Sequence, residues 1–495
     1  KIKYENINLG YLLCNISYEK EMLYSRISFI DSTYNTGNPT LSLSGIVPVN
    51  LSFTPVEERF SEDKNLDLKI RSKDFNLSTF GNSIPNIKDQ RGIVTGEVYI
   101  GGTAFNPEFS GNINVREGEF RASLNNLIYS YEADLGFRNN DLVINNLKVQ
   151  NLEGSLRKGT INGNGIIEFN DFQVSLVNLD MKGDIALLGK TSKSTNPFLY
   201  GDLFIETNGD LNYRYEQGKS AVKGSVDLVE TDLIFATEEA NFSNTGKGII
   251  YEFAVDSTKI DYEQLKFNRL VSVQGKSKSG KKNGSADSEI NYDLELKIEN
   301  NAKIVFVFSA VANQKLVVEA AGNLKYVTEN GLTRAQGSFV LLDGSYLDFF
   351  KKFDAAGKIR FESSLIDPFL DVTATYLSDW EDKSQSTPVT TPVAVKMRLE
   401  GLNSQIGRLI VENPHNLKIY IGENNISSNT PDNRYDMSNI LTFILIGSLP
   451  DPNTGQLSAS DRNLLGNFSN TATSFLGPIL TNVLNSAGVN AISNI

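Results

Sequence analysis

Apolar and polar residues alternate with a period of two along most of this chain. In Gly357–Tyr376 the alternation runs on both sides of an Asp-Pro corner, with Ile359 in the first half and Leu370 in the second. Successive side chains of a β-strand point to opposite faces, so this period is typical of a strand with one apolar and one polar face. Each half of the stretch therefore predicts a strand of this kind. Its apolar face must be shielded from water.

The alternation continues from Lys1 to about Tyr420, and the predicted strands carry apolar side chains of one parity. We expect these side chains to share one lining of a sheet. No strong amphipathic helix interrupts the strands, which excludes βαβ crossovers and predicts an antiparallel meander joined by short turns. The predicted lining residues are Leu294, Leu296, Ile298, Ile304, Phe306, Phe308, Ile359, Phe361, Leu370, Val372, Val395, Met397, Leu399, Leu417 and Ile419.

A loose internal repeat favours one long sheet over a string of separate sandwiches. Ser110–Phe120 (SGNINVREGEF) is similar to Gln336–Tyr346 (QGSFVLLDGSY), and Lys223–Phe235 (KGSVDLVETDLIF) is a weaker copy. Each copy predicts a strand, a turn and a second strand with an aromatic residue. Repeated units of this kind stack along an axis, so that each covers its neighbour.

The end of the chain changes from strand to helix periodicity. Its apolar residues recur at helical spacing, Asp436 precedes them as a capping residue, and Gly447 follows them as a stop. A second helical stretch is predicted over much of Ala459–Leu484. We expect the first helix to cap one end of the sheet. Its predicted helix stripe is Met437, Ile440, Leu441, Ile444 and Leu445.

Composition and charge exclude several classes of partner. The 495 residues carry a formal net charge of −12. An acidic chain repels phosphate backbones, so we expect no nucleic-acid partner and no anionic membrane surface. No apolar run reaches the ~18 residues that a spanning helix needs. The chain starts at Lys1 without Met, and we interpret it as a fragment, so that any export signal or membrane anchor lies outside it.

The residue types that enzymes need are scarce, so we expect no enzyme, no metal site and no cofactor. His415 is the single histidine and Cys14 the single cysteine. Zinc sites and Ser-His triads need more partners than these. We expect His415 in a solvated loop and Cys14 as a small core residue. The GKSKSGKK run at Gly275–Lys282 has Lys where a phosphate-binding loop needs Ser or Thr, and it predicts a solvated basic loop.

Four motifs occur in an order that resembles the C-terminal domain of the TamB family. This family supplies the inner subunit of the translocation and assembly module and belongs to the AsmA-like superfamily. Gln336–Tyr376 contains its G-x-I-x-F and P-x-L-D-V-x-A patterns, and VAVKMRLEGL, NLKIYI and DMSNILTFILIG follow in sequence. Gly96–Phe120 is similar to the repeats of the wider group.

The resemblance implies an elongated antiparallel sheet, mostly β, that folds lengthwise like a taco around a hydrophobic groove and ends in short helices. It implies AsmA- or TamB-like groove repeats over 1–335, a TamB-like C-terminal β region over 336–435 and a helical segment over 436–495. It also implies the periplasm of a two-membrane bacterium, an inner-membrane anchor outside this chain and an outer-membrane barrel partner of the TamA or BamA type. The predicted lining residues would then contact phospholipid or its acyl chains.

Two functions fit these expectations. In the first, the groove conducts phospholipids from the inner to the outer membrane and supports outer-membrane assembly. In the second, the chain is a chaperone or scaffold that helps barrel proteins insert, by offering sheet edges to their strands without transporting lipid. A further alternative concerns the lining itself, since its side chains could pack on one another as a sealed core.

Overall fold

The structure is a computed structural model, and it describes residues 2–4, 7–31, 38–56, 58–80, 87–153, 157–170, 173–236, 290–309, 314–329, 332–382, 389–406, 416–451 and 454–465. These residues form one elongated sheet of 22 strands with a few short helices. The mostly β fold class predicted from the alternation is confirmed.

The strands follow one another in chain order across the sheet. They are β1 Ile2–Tyr4, β2 Ile7–Glu19, β3 Met22–Asp31, β4 Leu41–Pro48, β5 Asp67–Asn76, β6 Ile87–Gly102, β7 Pro107–Ala122, β8 Ile128–Arg138, β9 Asp141–Glu153, β10 Thr160–Asn170, β11 Gln173–Leu188, β12 Leu199–Thr207, β13 Leu211–Glu216, β14 Lys219–Ala236, β15 Ile290–Ser309, β16 Gln314–Glu329, β17 Leu332–Leu341, β18 Tyr346–Phe349, β19 Lys351–Phe361, β20 Phe369–Asp382, β21 Val389–Leu402 and β22 Leu417–Ile421.

Two positions in the sheet are each filled by a pair of strands that lie end to end. β12 and β13 both pair with β11 on one side and with β14 on the other. β17 and β18 occupy the same kind of position between β16 and β19. Each pair is one long strand with an interruption, which keeps the sheet continuous across it.

One strand pair contradicts the expectation of a purely antiparallel meander. β14 and β15 are parallel, with Val226 opposite Leu296 and Phe235 opposite Phe306. The expectation assumed short turns throughout, whereas residues 237–289 separate these two strands. A connection of a dozen or more residues is long enough to return the chain to the starting end of its neighbour. The connecting residues lie outside the described part of the chain.

One of the three repeated units has the predicted strand, turn and second strand: Gln336–Tyr346 runs from β17 through a turn at Asp343 and Gly344 to the start of β18. The other two units differ from the prediction. Ser110–Phe120 lies within the single strand β7, and Lys223–Phe235 lies within β14. The expected turns are irregularities at which Glu117 and Glu230 adopt positive φ of 53° and 47° while the strand continues in the same direction. Extra residues of this kind are β-bulges, and they add local twist to a strand without reversing the chain.

The predicted C-terminal helix is present with the expected ends. Helix α2 spans Met437–Ile446, after a shorter helix α1 at Glu423–Ser427. The Asp436 carboxylate accepts a hydrogen bond from the Asn439 backbone N–H at 2.9 Å, and Gly447 ends the helix with φ 72°. Residues 459–465 are also helical, whereas the rest of the second predicted helix lies outside the described residues. Short 3-10 helices occupy Leu77–Phe80 and Lys190–Ser194.

Two hydrophobic clusters form the core. The larger contains side chains from β12, β14 and most strands from β15 to β22, together with α2. The smaller contains side chains from β8 and from β10 to β14, together with Leu127 in the β7–β8 turn. Cys14 belongs to neither cluster and is exposed on β2, so the expectation of a core position for it is wrong. Among the described residues, the first strand β1 pairs only with Ile7–Gly10 of β2, and further along β2 side chains such as Leu13 and Ile16 are also exposed.

Candidate functional site

The strand register gives the sheet one continuous apolar face. Residues directly opposite in an antiparallel pair point to the same side of the sheet. Ile359 lies opposite Leu370, and Val372 lies opposite Leu399. Met397 is two residues before Leu399 on β21 and so points to the same side, and it lies opposite Leu417 on the last strand. Register and burial together place all the predicted lining residues on this face, which we call the apolar face.

The predicted lining residues belong to the larger core or pack against it, except Leu294, which packs against the smaller cluster. All except Leu294 and Leu296 are buried, from Ile359 at 0% exposed to Leu417 at 6%. Phe306 is 1% exposed and stacks on Phe235 with ring centroids 4.9 Å apart. One face of a flat single sheet leaves its side chains open to water, so burial of this kind requires a second layer. We call the apolar face of β15–β22 the closed section.

Paired glycines in the closed section allow neighbouring strands to approach closely. Gly322 on β16 and Gly337 on β17 have φ of +152° and +150°, a backbone conformation that L side chains rarely adopt. A Cβ on Gly337 would lie 2.2 Å from the Asn323 carbonyl oxygen. Gly322 lies opposite Phe339, and Gly337 lies opposite Leu324, so large side chains fill the space that the glycines leave. Glycine within a strand is typical of a tight bend or a close backbone approach.

Helix α2 provides part of the second layer. The predicted helix stripe is buried at Ile440, Leu441 and Ile444, and Met437 and Leu445 pack against the same cluster while partly exposed. Phe443, which the stripe did not include, is also buried there. The helix therefore covers apolar strand residues of the larger core. Each residue of the predicted helix stripe either belongs to that core or packs against it.

The apolar face of β6–β11 is less covered, and we call it the open section. Ile113, Leu135, Leu147 and Leu179, on β7, β8, β9 and β11, are only partly buried. Charged and amide side chains occupy the opposite face. The register continues from Ile113 through Leu135 to Ile144, and then to Gly165 and Leu179. The register then passes from Leu179 to Tyr213 on β13, Val222 on β14 and Tyr292 on β15, so the open section belongs to the same apolar face as the closed section.

Aromatic rings lie at both ends of the strands in the open section. Near the start of β7, Phe109 stacks on Phe137 with centroids 5.4 Å apart, and Phe169 lies 5.9 Å from Phe109. Near the end of β7, Phe120 lies 5.5 Å from Tyr129. The aliphatic side chains of the open section are therefore bounded by two aromatic groups along the strand direction.

A hydrogen-bonded group at the smaller cluster could not be located from the sequence. β10 begins opposite Asp184, so Ala186 and Leu187 of β11 extend beyond it. The Tyr129 hydroxyl donates to the Ala186 carbonyl at 2.8 Å, and Asn125 donates through Nδ2 to Tyr129 at 2.8 Å and to the Leu187 carbonyl at 2.9 Å. The side chains of Tyr129 and Asn125 therefore supply hydrogen-bond donors to two carbonyl groups of β11 that lie beyond the start of β10.

The same group holds the β7–β8 turn against the core. Ser192 donates through Oγ to the Asn125 carbonyl at 2.6 Å, and Leu127 beside it is 1% exposed within the smaller cluster. Burial raises the pKa of Tyr129 to about 12. The SLNN run of this turn predicts only a loop, because the carbonyls it contacts lie some sixty residues away on a strand whose relative length no local pattern reveals.

The opposite face of the sheet is charged. The Glu97 carboxylate accepts hydrogen bonds from Lys69, Arg71 and Tyr99, and these hold its pKa down at about 2. Arg398 on β21 pairs with Asp371 on β20, also on this charged face. Exposed pairs of this kind contribute little to stability, but they keep the outside of the sheet hydrated.

The described residues show no arrangement for metal chemistry, because nowhere among them do three His, Cys, Asp or Glu side chains group closely enough to hold an ion. His415 and Gly275–Lys282, which the sequence placed in solvated loops, lie outside the described residues. Across the described ranges, no helix has both the length and the apolar character needed to cross a membrane.

Comparison with protein families places most of the chain in one family. A family model for the TamB C-terminal domain matches residues 150–494. The chain therefore belongs to the TamB family, and the match begins well before the motifs at Gln336–Tyr376. Comparison with curated proteins and with solved structures finds no match.

Membership of this family supports a TamB-like role in the bacterial envelope. The family is a transport and assembly module and is not a known enzyme family. The division into regions at 335/336 and 435/436 stays a prediction. The first of these boundaries falls inside β17, and the second falls directly before α2.

Proposed function

We propose that this chain conducts phospholipids from the inner to the outer membrane along the apolar face of its sheet, and so supports outer-membrane assembly. The observation that carries the proposal is the continuity of that face from the partly exposed open section into the closed section. In this proposal the chain lies in the periplasm, with an inner-membrane anchor and an outer-membrane barrel partner of the TamA or BamA type. The predicted lining residues form the closed part of the same path.

The physical reason is the contrast between the two faces. Acyl chains gain about 0.8 kcal/mol for each CH₂ removed from water, and a partly exposed apolar face offers such a surface. The charged face, with groups such as Glu97 and Arg398, keeps the outside soluble. A protein with this cross-section can carry hydrocarbon through an aqueous compartment.

Native mass spectrometry of the purified chain tests the proposal. We expect phospholipid to remain bound to the natural chain and to be lost from Leu135→Asp, because a carboxylate in the open section must keep its water and repels an acyl chain. Leu135 is partly exposed, so this variant should still fold. Ser110→Asp on the exposed face is the matched control and should keep its lipid.

The outcome also separates lipid transport from the scaffold function. If the natural chain carries no phospholipid and a transfer assay between vesicles shows no activity, the conduit is wrong. Insertion of barrel proteins that still depends on the chain would then favour the scaffold.

A further inference from the structure

The apolar face is not covered uniformly along the sheet. In the closed section, side chains such as Leu370, Val372 and Val395 are fully buried against other parts of the protein. In the open section, residues of the same face such as Leu135 and Leu179 keep part of their surface in water. The two sections therefore cannot offer the same space to a ligand.

The smaller cluster lies between the two sections. It includes the Tyr129 end of the open section, with Ile161 and Ile185, and continues through β12, β13 and β14. Leu203, Leu228 and Leu296 pack against both clusters and so join them. Phe204 and Val226, beside these residues, are 3% and 2% exposed. On the other side of the smaller cluster, Leu127 is held down by the hydrogen bonds of Asn125. Side chains fill the apolar face from this point onward.

The chemistry of the open section favours hydrocarbon as its occupant. In the regular parts of β6–β11, the positions on the apolar face carry aliphatic, aromatic, methionine or glycine residues and no charged side chain, and the buried amide of Asn151 is the polar exception. Six neighbouring strands at about 4.8 Å spacing extend about 24 Å across the sheet. This exceeds the roughly 15 Å that one leaflet contributes to the ~30 Å hydrocarbon core of a bilayer.

We propose that phospholipid acyl chains bind in the open section, between the Phe109–Phe137–Phe169 group and the Phe120–Tyr129 group, and that they stop at the smaller cluster. The closed section is then solid protein core in the state described, and lipid passes it only when its packed side chains separate. This inference rests on the proposed function. It adds to that function by identifying the part of the sheet that binds the acyl chains.

Tryptophan quenching by brominated phospholipid tests the inference. The natural Trp380 is first replaced by Phe, which leaves a chain without tryptophan. Single tryptophans are then introduced as Phe137→Trp in the open section, Phe306→Trp in the closed section and Phe53→Trp at a fully exposed loop position. Each protein is incubated with vesicles of phosphatidylcholine brominated on its acyl chains and separated from the vesicles before fluorescence is measured.

We expect loss of fluorescence for Phe137→Trp and none for Phe306→Trp or Phe53→Trp. Equal loss at positions 137 and 306, or loss at position 306 alone, would overturn the inference while leaving the proposed function intact. No loss at either position, with no phospholipid bound by mass spectrometry, would overturn both. Thermal unfolding checks each variant, and Phe361→Trp replaces Phe306→Trp if the latter does not fold.

Discussion

At the scale of single residues, position on the apolar face decides what a substitution does. Phe306 is 1% exposed, whereas its neighbour Val305 points to the opposite face and is partly exposed. Phe306→Asp removes a large side chain from the closed section and buries a carboxylate without a partner, which should destabilise the fold by about 4 kcal/mol or more. Val305→Asp should change stability by no more than about 1 kcal/mol.

Urea unfolding of the two variants measures this difference. A Phe306→Asp protein as stable as Val305→Asp would mean that water already reaches the closed section. In that case the predicted lining residues would form an open groove, and the aspartate should instead block lipid transfer.

Also at this scale, Tyr129 should make stability depend on alkaline pH. Its pKa is raised to about 12 by burial, against about 10 in an unfolded chain. The folded state therefore keeps the proton more firmly, so the stabilisation is complete below pH 10 and is lost as the pH rises towards 12. The loss should be on the order of 2–3 kcal/mol.

Comparison with Tyr129→Phe isolates this effect from that of other titrating groups. The variant lacks the hydroxyl that donates to Ala186, so it should be less stable at neutral pH. Its stability should fall less steeply than that of the natural chain between pH 10 and 12. Parallel curves for the two proteins would show that the Tyr129 hydroxyl is not buried as described.

At the scale of secondary-structure elements, α2 should protect the closed section. Truncation after Tyr435 removes Ile440, Leu441, Phe443 and Ile444 from the core and exposes the strand residues beneath them. We expect the truncated chain to bind a hydrophobic dye and to associate, since a large exposed apolar patch promotes contact between copies. Truncation after Leu465 keeps the helix and serves as the control. An equally soluble monomer after both truncations would contradict the covering role.

Local patterns predicted these elements well and their connections less well. The alternation located β19 and β20 on either side of the Asp-Pro corner, and helical spacing with Asp436 and Gly447 fixed α2, because each signal lies within a few residues. The bulges at Glu117 and Glu230 resemble turns locally, since both use positive φ. Only the neighbouring strands determine whether the chain then reverses.

The lining shows the same limit. Parity identified which side chains share the apolar face, because a strand alternates strictly. Parity carries no information on what covers that face. The closed section is covered in part by α2, which contacts the larger core from outside the sheet. The strands of the open section alternate in the same way, but their apolar side chains stay partly exposed.

At the scale of the whole molecule, the order of the strands determines the shape. Nearly every strand pairs with its neighbours in sequence, so 22 strands extend in one direction instead of closing into a compact body. At about 4.8 Å between strands, the sheet measures on the order of 100 Å along its length. A compact domain of 495 residues would have a radius of gyration of about 23 Å.

Small-angle X-ray scattering can therefore test the elongated sheet directly. We expect a radius of gyration clearly above ~23 Å and a pair-distance distribution with a long tail, because the strands are added in series. This length depends on the parallel pairing of β14 with β15, because that pair joins the first fourteen strands to the rest of the sheet. Residues 237–289 connect the two strands along the chain. Scattering from a compact particle would mean that the sheet folds back at this pair, and a path for lipid along its full length would then be lost.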